Sequence, residues 1–370
     1  MNQVWKGGRA VRRLVQGLVI LVGVMAALWG IRHHLEQSLQ TTAQGVERQP
    51  LYIFNWGDYI DPELITAFEE ETNYRVIYET FDSNDAMEAK LKQGGTPYDL
   101  VFPSESIVAR LKNQNLLKPL DYSRLEGTEH LTPWLLNHAF DPGNQYSLPY
   151  FWGTFGIMVN TEQVDPATIE NWSDLWKPEF KNSILVLDGH RETLGMALQA
   201  RGYSLNSQDP GELAIAGTYL KALAPNVRAV LTDEIKPLMR LGEAPIGMGY
   251  SGDAASVIAD NPNIVYILPK DGSAVWTDNF AIPSTSKNEA GAYAFINFML
   301  RPENAAKNAE YVGYATPNES AKALLPKETL DNPAFNPPAE ILQQLEHYEF
   351  LPADVIKEFN EQFLGFKMAL

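Results

Sequence analysis

The chain has 370 residues, enough for two domains with separate cores, and its 45% hydrophobic and 20% charged content is ordinary for a folded globular protein. The net charge is −17, and because residues 1–50 hold six basic residues against two acidic ones, the remainder carries −21. A body this acidic repels phosphate backbones and excludes nucleic acid as a natural partner, while the absence of cysteine excludes disulfides and thiolate metal sites.

Lys6, Arg9, Arg12 and Arg13 precede an uncharged run of 18 residues, 14–31, closed by Arg32. A positive flank and a long apolar segment are the signature of export. In helical form the run spans roughly 27 Å, so it serves as a signal peptide or as an N-terminal membrane anchor. The positive flank stays inside, which places the body outside the cytoplasm, in the periplasm of a two-membrane bacterium. Residues 36–50 are polar and read as a tether.

From residue 51 strands and helices alternate. LYIFN (51–55) is a strand, and Trp56-Gly57-Asp58-Tyr59 follows as a loop. Asp61-Pro62 then caps a helix with Leu64, Ile65 and Phe68 on its buried stripe. Residues 75–80 form a second strand, 84–93 a helix stopped by Gly94-Gly95, and 98–102 a third strand running into Pro103-Ser104-Glu105-Ser106. This alternation predicts an α/β protein with mainly parallel sheets flanked by helices, whose ligands bind beyond the carboxyl ends of strands. Residues 147–160, aromatic and nearly uncharged, are expected to be a pair of strands crossing to a second lobe. There, 171–180 is expected to be helical, followed by strand–helix units at 184–200 and 227–240. A strand at 244–251, a short helix at 253–260 and a strand at 263–268 come next. AVWTDNF (274–280) is read as extended, which puts Trp276 and Asp278 on one face. An indole beside a carboxylate suits an organic cation, through charge and cation–π attraction. Helices at 287–300 and up to 311, a turn at 313–318 and a mostly helical tail from 338 complete the chain.

GMGYSG (247–252) matches the dinucleotide fingerprint in form, with Asp271 about 20 residues on. The acidic Asp253 would stand at the helix N-terminus where the pyrophosphate should rest, so no such cofactor is expected. The six histidines include no i,i+4 pair on one helix, and no metal site is expected. There is no G-x-S-x-G elbow and no catalytic constellation, so the chain is read as a non-enzyme. What recurs at strand and helix ends is an acid beside an aromatic ring: Trp56, Asp58 and Tyr59; Glu192; Tyr250 and Asp253; Trp276 and Asp278; Tyr314.

FNWGDYIDPELI (54–65), TFDSNDAMEAKL (80–91), YDLVFPS (98–104), VWTDNFAIP (275–283), INFMLRPENA (296–305) and GYATPN (313–318) resemble the periplasmic spermidine/putrescine-binding proteins of polyamine ABC importers. The resemblance spans 51–370 and is most specific in NWGDY with VWTDNF. It implies a monomeric two-lobed periplasmic binding protein (type II) that closes over a polyamine in the inter-lobe cleft and delivers it to an inner-membrane permease. Residues 51–154 and 277–322 would form one lobe, 155–276 and 323–370 the other. Trp56, Tyr59, Tyr250, Trp276 and Tyr314 would box the methylene chain, Glu192, Asp253 and Asp278 would hold the ammonium groups, and Asp58 and Ser104 would line one end. Spermidine-type members often carry Asp where Gly189 stands, Gln where Leu351 stands and Trp where Tyr250 stands. These departures, with Asp253, point to putrescine or a mixed specificity. The alternatives are another small solute (a sugar, an amino acid or ferric ion) or a carboxylate-dependent enzyme.

Overall fold

The computed structural model describes residues 48–337 and 339–370. The expected export segment lies outside the described residues, and among those described no helix is long and apolar enough to cross a membrane. The described chain opens with β1 (Gln49–Trp56), α1 (Pro62–Glu71), β2 (Tyr74–Phe81), α2 (Asn84–Gln93), β3 (Leu100–Val101) and α3 (Glu105–Asn113). Local chemistry sets these boundaries. Asp61 caps α1 by accepting from the Glu63 N–H, with Pro62 at the first position. Ser83 caps α2 by accepting from the Ala86 N–H, and Gly94 ends it at φ 69°, where a side chain would be strained.

Next come β4 (Ser147–Asn160), β5 (Ile184–Leu187), α4 (His190–Gln199), α5 (Pro210–Lys221), β6 (Val227–Leu231) and α6 (Ile235–Arg240). They are followed by β7 (Ile246–Tyr250), α7 (Ser251–Asp260), β8 (Ile264–Ile267) and β9 (Ser273–Ala281). After α8 (Glu289–Leu300) and α9 (Pro302–Val312), the chain ends with β10 (Leu345–His347) and α10 (Ala353–Lys367).

The strands lie in the order β2-β1-β3-β9-β4-β7-β5-β6, with β10 added on β9 and β8 on β4. The outer pairs are parallel, as expected for strand–helix alternation. The centre is not: β4 runs antiparallel to β9, β7 and β8. Two further expectations need correction. Residues 147–160 are one strand of 14 residues, buried throughout, rather than two. Its first half pairs with β9 and its second with β7 and β8, so a single strand makes the crossing. Residues 171–180 form two tight 3₁₀ turns, Trp172–Trp176 and Pro178–Phe180, because Pro178 cannot donate the hydrogen bond that an α-helix needs there. The tail from 338 is mostly helical, as expected, and also contains the short strand β10.

Two large cores flank this crossing. One gathers Leu51, Phe68, Leu100, Phe151, Phe280 and Phe295 from β1, α1, β3, β4, β9 and α8. The other gathers Ile157, Trp172, Leu198, Leu220, Phe359 and Phe366 from the far end of β4, from the turn Trp172–Trp176 and from α4, α5 and α10. Each such side chain stabilises by about 1.5–3 kcal/mol on full burial. Trp276 packs against both cores, which puts it at the seam between them.

Candidate functional site

Asp278 is buried on β9, and residues far away in the chain converge on it. Tyr59, from the loop after β1, donates its phenol to Asp278 Oδ2 at 2.7 Å. Ser104, the N-cap of α3, donates to Oδ1 at 2.6 Å. Asn84 fixes Ser104 in turn, donating from Nδ2 to its Oγ at 3.0 Å and accepting from its N–H at 3.2 Å. Burial pushes the Asp278 carboxyl up to about 6, and the two hydroxyl donors pull against that shift. It is therefore ionised at neutral pH. Burial, then the charge of Asp278, raises the Tyr59 phenol, which stays a donor.

Rings continue from this acid. Tyr59 meets Tyr314 edge-on at 5.6 Å between centroids, Tyr314 meets Trp276 at 5.0 Å, and Trp276 meets Tyr250 at 6.3 Å. Tyr250 then donates to Glu192 Oε1 at 2.8 Å. The result is an unbroken run with a carboxylate at each end and four aromatic rings between. Gly153 makes room for it, since a Cβ there would lie 2.6 Å from Trp276 Cζ2. Gly252 does the same for Tyr314, whose Cε1 would stand 1.8 Å from an added Cβ.

The structure thus joins Tyr59, Ser104, Glu192, Tyr250, Trp276, Asp278 and Tyr314. Asp253 stands at the margin, in the first turn of α7. It pairs with Lys236 at 3.2 Å, and burial raises its carboxyl against that cation's pull. Its charge also bears on Tyr314 and Tyr250. Trp56 is turned into its own side of the protein, donating to the Phe102 carbonyl at 2.9 Å and packing on Phe81 at 4.5 Å. Asp58 is exposed in a left-handed conformation, φ 51°. Leu351 is buried within the second core, against which Tyr250 and Trp276 also pack. GMGYSG serves packing: Gly247 and Gly249 lie inside β7 against Met239 and Met158.

Three residues of this region escaped the sequence reading. Asn84 was read only as the start of a helix. Glu105, beside Ser104, is fully buried, although a Glu at a helix start is usually solvated. Arg191 lies over the rings of Tyr348 and Phe359, 5.2 Å from each centroid. The only signal for the first two was adjacency to a strand end that faces the site.

Two cores joined by crossing strands, with an acid–aromatic run at their seam, are the architecture of a protein that captures a small solute between two lobes. The model of the bacterial extracellular solute-binding protein family matches residues 63–337, and the chain belongs to that family. It is 41% identical over 309 residues to the spermidine/putrescine-binding periplasmic protein of Escherichia coli, covering 83% of this chain and 88% of that one. Against the putrescine-binding periplasmic protein PotF of the same organism the identity is 33% over 318 residues, covering 81% and 86%. Among solved structures, the spermidine/putrescine ABC transporter substrate-binding protein PotD of Streptococcus pneumoniae superposes with a TM-score of 0.83. It is 52% identical, over 87% of this chain and 99% of that one.

Proposed function

We propose that this protein captures a polyamine, putrescine or spermidine, outside the cytoplasm and hands it to the permease of an ABC transporter. The observation that carries this reading is the run from Asp278 through Tyr59, Tyr314, Trp276 and Tyr250 to Glu192. A flexible polymethylene chain with a cation at each end wants flat apolar walls along its length and an acid at each amine. Closing lobes exclude water and strengthen both ion pairs. The names of the relatives support the same ligand class. In this reading the protein is a periplasmic monomer, either freed from or tethered by its N-terminal segment. Its lobes are 51–154 with 277–322 and 155–276 with 323–370, a division supported by the membership of the two cores.

Calorimetric titration with putrescine, cadaverine, spermidine and spermine tests the proposal, alongside thermal unfolding. A bound polyamine at about 100 times its Kd should stabilise by ~2.7 kcal/mol. Stabilisation by glucose or glutamate, with none by any polyamine, would overturn the reading.

The choice between ligands turns on Gly189, the N-cap of α4. Its φ of −137° is ordinary extended backbone, so a side chain is not strained there. A Cβ would, however, meet Glu192 Oε2 at 2.3 Å, so an Asp must push that carboxylate aside. Gly189→Asp is expected to weaken both ligands through this displacement. It should raise the spermidine-to-putrescine affinity ratio about fivefold, since a partly solvated new ion pair is worth ~1 kcal/mol. Titration of both proteins with both ligands at about 0.15 M salt gives the ratio. An unchanged ratio would remove Gly189 as the reason for a putrescine preference.

A further inference from the structure

Glu105 is the first residue of α3, and only 1% of it reaches solvent. Its Oε2 accepts from the N–H of Thr277, the residue before Asp278, at 2.8 Å. Two carboxyl groups therefore share one stretch of β9, one held by the strand's backbone and the other carried on its next residue. The charge of Asp278 on β9 disfavours a second negative charge on Glu105. The charge of Arg191 on α4 favours one, as does the N-terminus of α3. Tyr348, from the segment after β10, also feels its charge. Arg191 donates to Asn206 Oδ1 at 2.8 Å and to the Glu349 carbonyl at 3.3 Å, its buried Nε has no partner among the described residues, and it makes no hydrogen bond to Glu105. Burial outweighs these favourable partners and holds the Glu105 carboxyl up at about 8.

We propose that Glu105 is the proton-exchanging group of the site: it holds a proton in the closed cleft without ligand and gives it up to solvent when an ammonium group settles beside Asp278. The inference rests on the polyamine reading above. In the step the O–H bond of the acid breaks, the proton goes to buffer and the carboxylate left behind faces the new cation. Nothing is oxidised or reduced. Glu105 and Asp278 are tied to each other through β9, so the acid remains Asp278's neighbour however the cleft opens. The proton occupies the place of a cation when none is bound, and it competes with the ligand.

The test is calorimetry of putrescine and spermidine binding near pH 7.5 in two buffers of different ionisation heat. The wild-type protein should release well over half a proton per ligand, and its affinity should rise about fivefold between about pH 7 and pH 8. Glu105→Gln keeps an acceptor for the Thr277 N–H and should bind with no proton release and no pH slope in that range. Asp278 titrates near 6, too low to supply the proton at this pH. Binding by the wild type without proton release, or equal release by E105Q, would overturn this inference alone. No heat with either polyamine would overturn the ligand reading and this inference with it.

Discussion

Asp278→Asn is expected to cost roughly two to three decades of polyamine affinity, because a desolvated ion pair that loses one partner forfeits on the order of 3–5 kcal/mol. The substitution keeps shape, and its amide oxygen still accepts from one of the two hydroxyls, Tyr59 and Ser104, which now donate to different carboxylate oxygens at 2.7 and 2.6 Å, while its NH2 donates to the other hydroxyl oxygen. Stability should move the other way. The folded Asp278 carboxyl titrates near 6, above its ordinary value of 3.8. A carboxyl raised in the folded state binds protons more readily there than in the unfolded chain. Its charge thus destabilises the fold by an amount that grows as pH rises between those two values. Removing the charge should return on the order of 1–3 kcal/mol at neutral pH, so the ligand-free mutant should melt no lower than wild type. Wild-type binding should also weaken as pH falls through about 6, as Asp278 protonates, and the mutant should lack that limb. Calorimetric titration and ligand-free thermal unfolding of both proteins across this range check all three statements. Equal polyamine affinity in two folded proteins would reduce Asp278 to a structural cap.

Gly252→Ala should also impair binding, by about one to two decades. An added Cβ would overlap the Tyr314 ring, 1.8 Å from Cε1 and 2.1 Å from Cδ1. The ring has little freedom to yield, because Trp276 and Tyr59 meet it edge-on at 5.0 and 5.6 Å. Overpacking of this kind costs about 1–3 kcal/mol. In the proposed lobe division Gly252 and Tyr314 belong to opposite lobes, so the cost falls on closure rather than on folding. Alanine is also the better helix former within α7, which offsets any loss in the open protein. Calorimetry and ligand-free thermal unfolding together separate the two. Weakened binding with a near-normal melt is the expected pair of results, and wild-type affinity would show that Tyr314 has a second seat.

Local signals made parts of the fold legible. Residues 84–93 form a helix with the bounds that the sequence suggested, because Ser83 starts it and Gly94 ends it by chemistry confined to a few residues. The long strand β4 is one strand rather than the expected pair, and it runs through Pro149, Gly153 and Gly156. Pro149 sits beside a register shift. The glycines answer close neighbours, Gly153 admitting the Trp276 indole and Gly156 the Tyr266 ring. Nothing local separates a glycine needed for a turn from one needed for contact. The three residues of β10 carry no period to read.

The site divides along the same line. Acid–aromatic pairs at strand ends pointed to Tyr59, Tyr250, Trp276 and Asp278, and the resemblance ordered them. Trp56 looked equivalent to Tyr59, yet its indole N–H is spent on the Phe102 carbonyl. Glu105 was passed over because composition cannot reveal that a helix-starting acid is sealed from water. Burial of that kind is set by partners more than 170 positions away, Thr277 among them.

The pairing of β4 with β9, from Ser147↔Ala281 to Thr154↔Val275, has a practical consequence for anyone wishing to turn this protein into an optical sensor. These two strands are the mechanical link between the cores, and one of them carries Trp276 and Asp278. In the proposed reading the element that links the lobes is therefore also the one that carries the solute's partners. A dye attached to either strand would disturb the very event it is meant to report. Better anchor points lie across the gap, such as Asp85 on α2 and His190 at the start of α4, close enough that the first residue's charge is felt at the second. Because the chain contains no cysteine, thiols placed at those two positions would be the only ones available for labelling.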